Sequence, residues 1–300
     1  MIEKYYFLCY TLNTKQQGVS KLRIIEPELI IKTVEKLCMD ANYHLPCDVK
    51  RAVESAEKSE LSETGRDILC KIRQNYTIAD ENSVPICQDT GMAVFFVTIG
   101  TDVHVNGNIS EAINEGVRRG YQNGYLRKSI VRDPLMRENT GDNTPAVIHY
   151  DFAAGDRIHI TIAPKGFGSE NMSAVRMFSP SAGVEGIKKF VLETVDAAGS
   201  NPCPPIVVGV GIGGNFESCA CLAKKALTLD VDSVNPNPFY AELESELLSS
   251  INRLGIGPQG FGGTTTALGV NILTAPTHIA GMPCAVNISC HVTRHKSACI

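Results

Sequence analysis

Pro85-Ile86-Cys87-Gln88-Asp89-Thr90-Gly91 is the stretch on which the reading of this chain turns. Ahead of it the pattern is helical. Glu26-Pro27 opens a first helix, with Pro27 at a position where its missing N–H costs nothing. Ile30, Ile31, Val34, Leu37 and Cys38 follow at helical spacing. A second helix is predicted over 48–59, and a third from Ser62 that carries Ile68, Leu69 and Ile72. Behind the stretch the pattern turns mixed. Residues 93–99 read as a buried strand, and Ser110-Glu111 as the cap of a helix running toward Tyr121. Arg157-Ile158-His159-Ile160-Thr161-Ile162 alternates at period two, which puts Ile158, Ile160 and Ile162 on one face. A helix over 183–198, a central strand over 206–212 and a helix capped by Asn215 come next. Another helix runs from Asn237-Pro238 to Gly255, and strands at 268–273 and 285–289 finish the chain. The expected fold class is therefore α/β of the mixed α+β kind: a helical N-terminal region followed by mixed sheets flanked by helices. Residues 1–24 show no period and are expected to form a poorly ordered extension, leaving 25–300 as one domain.

Composition narrows the function classes. With 300 residues and 43% hydrophobic content the chain can bury a large core, as one domain or two closely packed lobes. A net charge of −4 and a pI near 6.0 argue against nucleic acid or an anionic membrane as partner. No stretch approaches the ~18 apolar residues of a membrane span. The total of 11 cysteines is odd and there is no secretory signal core. A reducing, cytoplasmic setting without a disulfide framework is expected.

Three of those cysteines share a context. Cys87 lies in the opening stretch, Cys203 in Asn201-Pro202-Cys203-Pro204-Pro205 ahead of an apolar run, and Cys290 after Ala285-Val286-Asn287-Ile288-Ser289. Each stands beside a turn-forming residue or a strand end, where function collects. Their separations are far too wide for a zinc knuckle or a contiguous ferredoxin run. If they converge, they form a three-thiolate site with an open position, where a metal can take substrate and act as a Lewis acid. Cys38, Cys70, Cys219, Cys221 and Cys284 lie in apolar settings and read as small core residues.

Other residues suit an anionic ligand. Asp89, two residues from Cys87, is placed to orient a metal-bound group or to carry a proton. Arg127 and Lys128, Lys165, His278, and the set His291, Arg294, His295 and Lys296 supply cationic donors. Glycine clusters at 166–168, 209–214 and 255–263 allow close backbone approach to an anion. The middle cluster follows a strand and contains G-x-G-x-x-G candidates, with Asp230 or Asp232 further on, so a dinucleotide site is an alternative. Tight strand–helix packing is the stronger reading for Gly209 and Gly211.

Taken together, these segments resemble a known family. Ile86-Cys87-Gln88-Asp89-Thr90-Gly91 is similar to the signature of the class I (iron–sulfur) fumarate hydratases and the related tartrate dehydratases. Glu115-Gly116-Val117-Arg118-Arg119-Gly120-Tyr121, Asn139-Thr140-Gly141-Asp142-Asn143-Thr144-Pro145-Ala146 and the run from Ala163 to Asn171 agree with the family's alpha subunit. So do the Cys203 segment and Gly257-Pro258-Gln259-Gly260. The resemblance spans nearly everything beyond residue 25.

It implies a class I fumarase alpha-type fold and a 4Fe–4S cluster held by Cys87, Cys203 and Cys290, with one iron lacking a protein ligand. It also implies that Gln88, Asp89, Arg127, Gly168 and His278 contact a small dicarboxylate. Asp89 is the candidate for proton transfer and His278 for catalysis or orientation, and Lys165 is expected to bind substrate. The implied activity is a hydro-lyase interconverting fumarate and L-malate. Single-chain members of the family continue into a beta domain. A chain ending at Ile300 is expected to need a separate beta subunit, in a hetero-oligomer built on a dimer. Two alternatives stay open at this stage: a tartrate dehydratase alpha subunit, and a non-enzymatic iron–sulfur or redox-sensing protein.

Overall fold

Helices account for nearly all the described chain ahead of Cys87. The computed structural model describes residues 22–300; the expected extension lies outside the described residues up to position 21. Strand β1 (Arg23–Ile25) pairs in parallel with β3 (Val103–Val105), so Arg23 and Ile24 belong to a paired strand rather than to the extension. Helix α1 (Pro27–Tyr43) buries Ile30, Val34, Leu37, Cys38 and Ala41, the apolar stripe seen in the sequence. Helix α2 (Cys47–Ser59) and helix α3 (Glu63–Asn82) follow. The Ser62 hydroxyl caps α3 by accepting from the Gly65 N–H at 3.1 Å.

The chain then passes through Cys87 into a first sheet layer. Strand β2 (Met92–Gly100) is followed by β3, helix α4 (Ile109–Asn123), strand β4 (Val147–Ala153) and strand β5 (Ile158–Lys165). The cap of α4 is Asn108, not Ser110: its Oδ1 accepts from the N–H groups of Ser110 and Glu111 at 2.9 and 3.2 Å. Asparagine two residues earlier satisfies the orphan donors that a serine inside the helix cannot reach.

A second layer holds helix α5 (Phe167–Glu170), strand β6 (Ala174–Phe178), helix α6 (Gly183–Ala198), strand β7 (Ile206–Gly214) and helix α7 (Phe216–Ala226). Helix α8 (Pro238–Asn252), strand β8 (Ala267–Thr277) and strand β9 (Met282–Ser289) complete it. Strand β10 (Lys296–Cys299) returns to the first sheet. The two larger sheets run β10-β5-β2-β4 and β6-β9-β7-β8. In each, one parallel pair (β2 with β4, β7 with β8) sits beside antiparallel neighbours. A dinucleotide fold needs a run of parallel strands around its glycine turn. The antiparallel β9 beside β7 rules that alternative out here.

Three larger apolar clusters fill the described part of the fold, with a small fourth between α7 and β9. One joins α1 and α4 to β2 and β5, and a second joins α6 and α8 to β7, β8 and β9. The third lies between α2 and α3, and Cys87 and Cys290 pack against its edge.

Candidate functional site

The three singled-out cysteines lie on loops that separate strands bring together. Cys87 is anchored through Ile86, whose N–H donates to the Asn42 carbonyl at 3.0 Å and whose carbonyl accepts from Asn75 Nδ2 at 2.9 Å. The Asp89 N–H points back at Cys87 Sγ at 3.4 Å. Cys203, just ahead of β7, has a left-handed backbone with φ of 55°. Its carbonyl accepts from His291 Nδ1 at 2.9 Å and from the His291 N–H at 3.4 Å, which ties it to the residue after Cys290. Gln259 closes the arrangement, because its N–H and its Nε2 both donate to the Pro204 carbonyl, at 2.8 and 2.7 Å. Gln259 Nε2 also lies 3.3 Å from His291 Nδ1.

Electrostatics confirm the proximity. Burial pushes the Cys203 thiol pKa up, and the neighbouring Cys290 and Cys87 push it further. Burial likewise raises Cys290, opposed by the charge of Arg294. Burial pushes His291 down, so its imidazole is neutral and Nδ1–H is the donor to the Cys203 carbonyl. Among the described residues no group of three His, Cys, Asp or Glu side chains stands close enough to hold a single ion. Thiolates of a cubane bind different irons, so their sulfurs stand wider apart than the ligands of one metal. Three neighbouring thiols beside a buried, incompletely paired guanidinium suit such a cluster, which takes them as thiolates. Arg294, 5% exposed, donates Nη2–H to the Asp89 carbonyl, while its Nε and Nη1 have no partner.

Next to Cys87 the loop opens into a cavity of about 580 Å³ lined by Asp89, Arg127, Ser129, Arg137, Asn171 and an apolar wall that includes Met92, Ile130 and Phe167. The Asp89 carboxylate is held by backbone donors on both oxygens: Gly91 N–H to Oδ1 and Phe167 N–H to Oδ2, each at 3.0 Å. Thr90, buried, grips the backbone of Arg127 by accepting from its N–H at 2.9 Å and donating to its carbonyl at 3.3 Å. That clamp fixes the start of the Arg127 side chain beside Asp89.

The remaining expected residues are placed as follows. Gln88 is exposed beside Cys87, with Oε1 3.4 Å from Sγ. Gly168 is exposed on α5, next to the Phe167 that bonds Asp89. Lys165 is buried and does not line the cavity. Its Nζ donates to Ser169 Oγ at 2.8 Å and pairs with Glu170 Oε2 at 3.2 Å. Burial lowers its pKa to about 8, against the pull of Glu170. His278 lies in the exposed turn between β8 and β9, where its Nδ1 accepts from the Ala280 N–H at 3.1 Å, and it too is absent from the cavity wall. Sequence reasoning gave no role to Thr90 or Gln259, and it took His291 only as one of a set of cationic donors, whereas burial keeps its imidazole neutral and its work is holding the Cys203 carbonyl. Only the position of Gln259 inside a family-like segment and of His291 next to Cys290 hinted at them.

Residues 31–299 match the family model described as fumarate hydratase (fumerase). A Methanocaldococcus jannaschii protein assigned provisionally as an L(+)-tartrate dehydratase alpha subunit is 45% identical over 272 residues, 88% of this chain and 95% of the relative. The L(+)-tartrate dehydratase alpha subunits of Escherichia coli strains UTI89 and K12 are 33% and 32% identical over 285 residues, 94% of this chain and 91% of each relative.

Proposed function

This chain belongs to the fumarate hydratase family and is a hydro-lyase, and we propose that it is the alpha subunit of a class I enzyme interconverting fumarate and L-malate. The observation that carries the reading is the Asp89 carboxylate facing, with Arg127, a cavity that opens two residues from Cys87. Cys87, Cys203 and Cys290 are the proposed holders of a 4Fe–4S cluster. Bound there, a cluster with one iron free of protein ligands supplies a Lewis acid for the hydroxyl oxygen.

The chain's own residues supply the rest. The planar guanidinium of Arg127 matches one substrate carboxylate bidentately. Asp89, fixed by the Gly91 and Phe167 N–H groups, takes the proton from the carbon next to the one bearing the hydroxyl. In the hydration direction it returns that proton while hydroxide adds at the neighbouring carbon, so one water is consumed. Gln88, exposed beside Cys87, is a further donor. Met92, Ile130 and Phe167 limit water on the opposite wall. Lys165 supports the Gly166–Ser169 turn through its bond to Ser169 Oγ, and His278, on an exposed turn away from the cavity wall, is assigned no step. The relatives' designation as alpha subunits supports a separate beta subunit that completes the site in a cytoplasmic hetero-oligomer.

A second reading, L(+)-tartrate to oxaloacetate, is favoured by the names of those same relatives. Both reactions eliminate water from a four-carbon hydroxydicarboxylate. Anaerobic reconstitution with iron and sulfide, in the presence of the beta subunit, decides between them by kcat/KM on L-malate and L(+)-tartrate. Higher kcat/KM on malate is expected, and the reverse order transfers the assignment to tartrate. A fully loaded complex inert on both overturns the enzymatic assignment of this site.

A further inference from the structure

Arg294 has a charge that nothing among the described residues answers. It is 5% exposed, yet of its donor nitrogens only Nη2 is bonded, to the Asp89 carbonyl, and Nε and Nη1 have no partner. Among the described residues no carboxylate forms an ion pair with it. An unpaired buried guanidinium is costly, so a fold that retains one has an anion to receive it. The place of that anion is narrow. The one bond made reaches the loop of Cys87, and Arg294 stands four residues after Cys290. Arg294 does not line the cavity of Asp89, whose wall carries Arg127 and Arg137 as its cations.

We propose that Arg294 is a positioning residue for the cluster, its unpartnered Nε–H and Nη1–H each donating to a different sulfur near Cys87 and Cys290. This rests on the reading that the three cysteines hold a cluster. Net charge and hydrogen bonds to sulfur set the potential of such clusters, and partners standing behind the ligands set how firmly the metal is held. The guanidinium holds its donors in a fixed planar fork that can serve more than one acceptor, as a lysine's single ammonium does not.

The test compares full-length wild type, Arg294→Met and Arg294→Lys, each metal-free and after reconstitution. Metal-free Arg294→Met is expected to melt at or above metal-free wild type, because an unanswered charge has been removed. Once loaded, the same variant is expected to lose iron to a chelator about 10–100-fold faster. Its cluster midpoint potential moves to more negative values, since the cation that favours the added electron is gone. Loaded Arg294→Lys keeps a potential near wild type but still loses iron faster, having the charge without the fork. A metal-free Met variant that unfolds or melts lower makes Arg294 a strut satisfied within the fold and overturns the proposal, as does a loaded Met variant with wild-type iron loss and potential. Wild type that takes up no iron and sulfide is a different failure, seen before any variant is made, and overturns the cluster reading together with this inference.

Discussion

Asp89 makes more bonds than a proton carrier needs. Its oxygens accept from Gly91 and Phe167, and its carbonyl accepts from Arg294, so the residue also orders the loop that presents Cys87. The two roles separate in Asp89→Asn. The amide keeps the size, and one oxygen keeps accepting, but it takes no proton from carbon. If Asp89 transfers the proton, kcat falls by about 10²–10⁴-fold with iron content per chain unchanged. If it only orders the loop, turnover per assembled cluster stays at the wild-type value and iron content falls with activity. Measuring iron alongside kcat on the reconstituted complex distinguishes these outcomes, and full turnover per cluster ends the proton-transfer proposal.

At the scale of elements, β7 and α7 show what the glycine cluster does. A Cβ on Gly211 would stand 2.1 Å from the Cys219 carbonyl oxygen and 2.6 Å from the Ala223 nitrogen, both backbone atoms of α7. The helix lies directly on the strand there. Gly211→Ala is expected to cost about 1–3 kcal/mol of stability, read from the denaturation midpoint. Gly281→Ala, where the nearest atom is 3.9 Å away, should change little. Equal midpoints would return the cluster to a ligand-binding role. Most of the helices and central strands were legible because their apolar positions face one way: Ile30, Val34 and Leu37 on α1, Ile158 and Ile160 on β5. Strands β4, β6 and β10 were not, since they are sheet edges with largely exposed or half-exposed side chains and so lack a clear alternation. Within the site, Cys87, Asp89 and Arg127 were legible from loop context and family likeness. Gln259 and His291 were not, because their work is bonding a backbone carbonyl across the fold, which leaves no local pattern.

At the scale of the molecule, one buried carboxylate joins the helical layer to the second sheet. Glu60, 1% exposed at the end of α2, accepts from the Ser62 N–H at 2.9 Å, from the Thr264 N–H at 2.8 Å and hydroxyl at 3.0 Å, and from the Thr265 N–H at 2.8 Å. These threonines lead into β8, directly after the loop whose Gln259 grips the Cys203 segment. Burial alone pushes the Glu60 pKa up, but the hydrogen bonds outweigh it and hold the group at about 2, below its ordinary 4.5. The folded value is therefore the lower one. The stabilisation is fully present above the unfolded value and is lost as pH falls from about 4.5 to about 2. At about 1.4 kcal/mol for each pH unit of difference, it amounts to about 3 kcal/mol at neutral pH. Glu60→Gln keeps one acceptor but turns an amide NH₂ toward backbone donors. A loss of about 1–3 kcal/mol at pH 7 is expected, with a shallower decline in acid than wild type. Denaturant midpoints for both proteins across that pH range check it. Coincident curves would mean that the Glu60 carboxylate does not hold the helical layer to the sheet, and that Gln259 and Cys203 keep their places by other contacts.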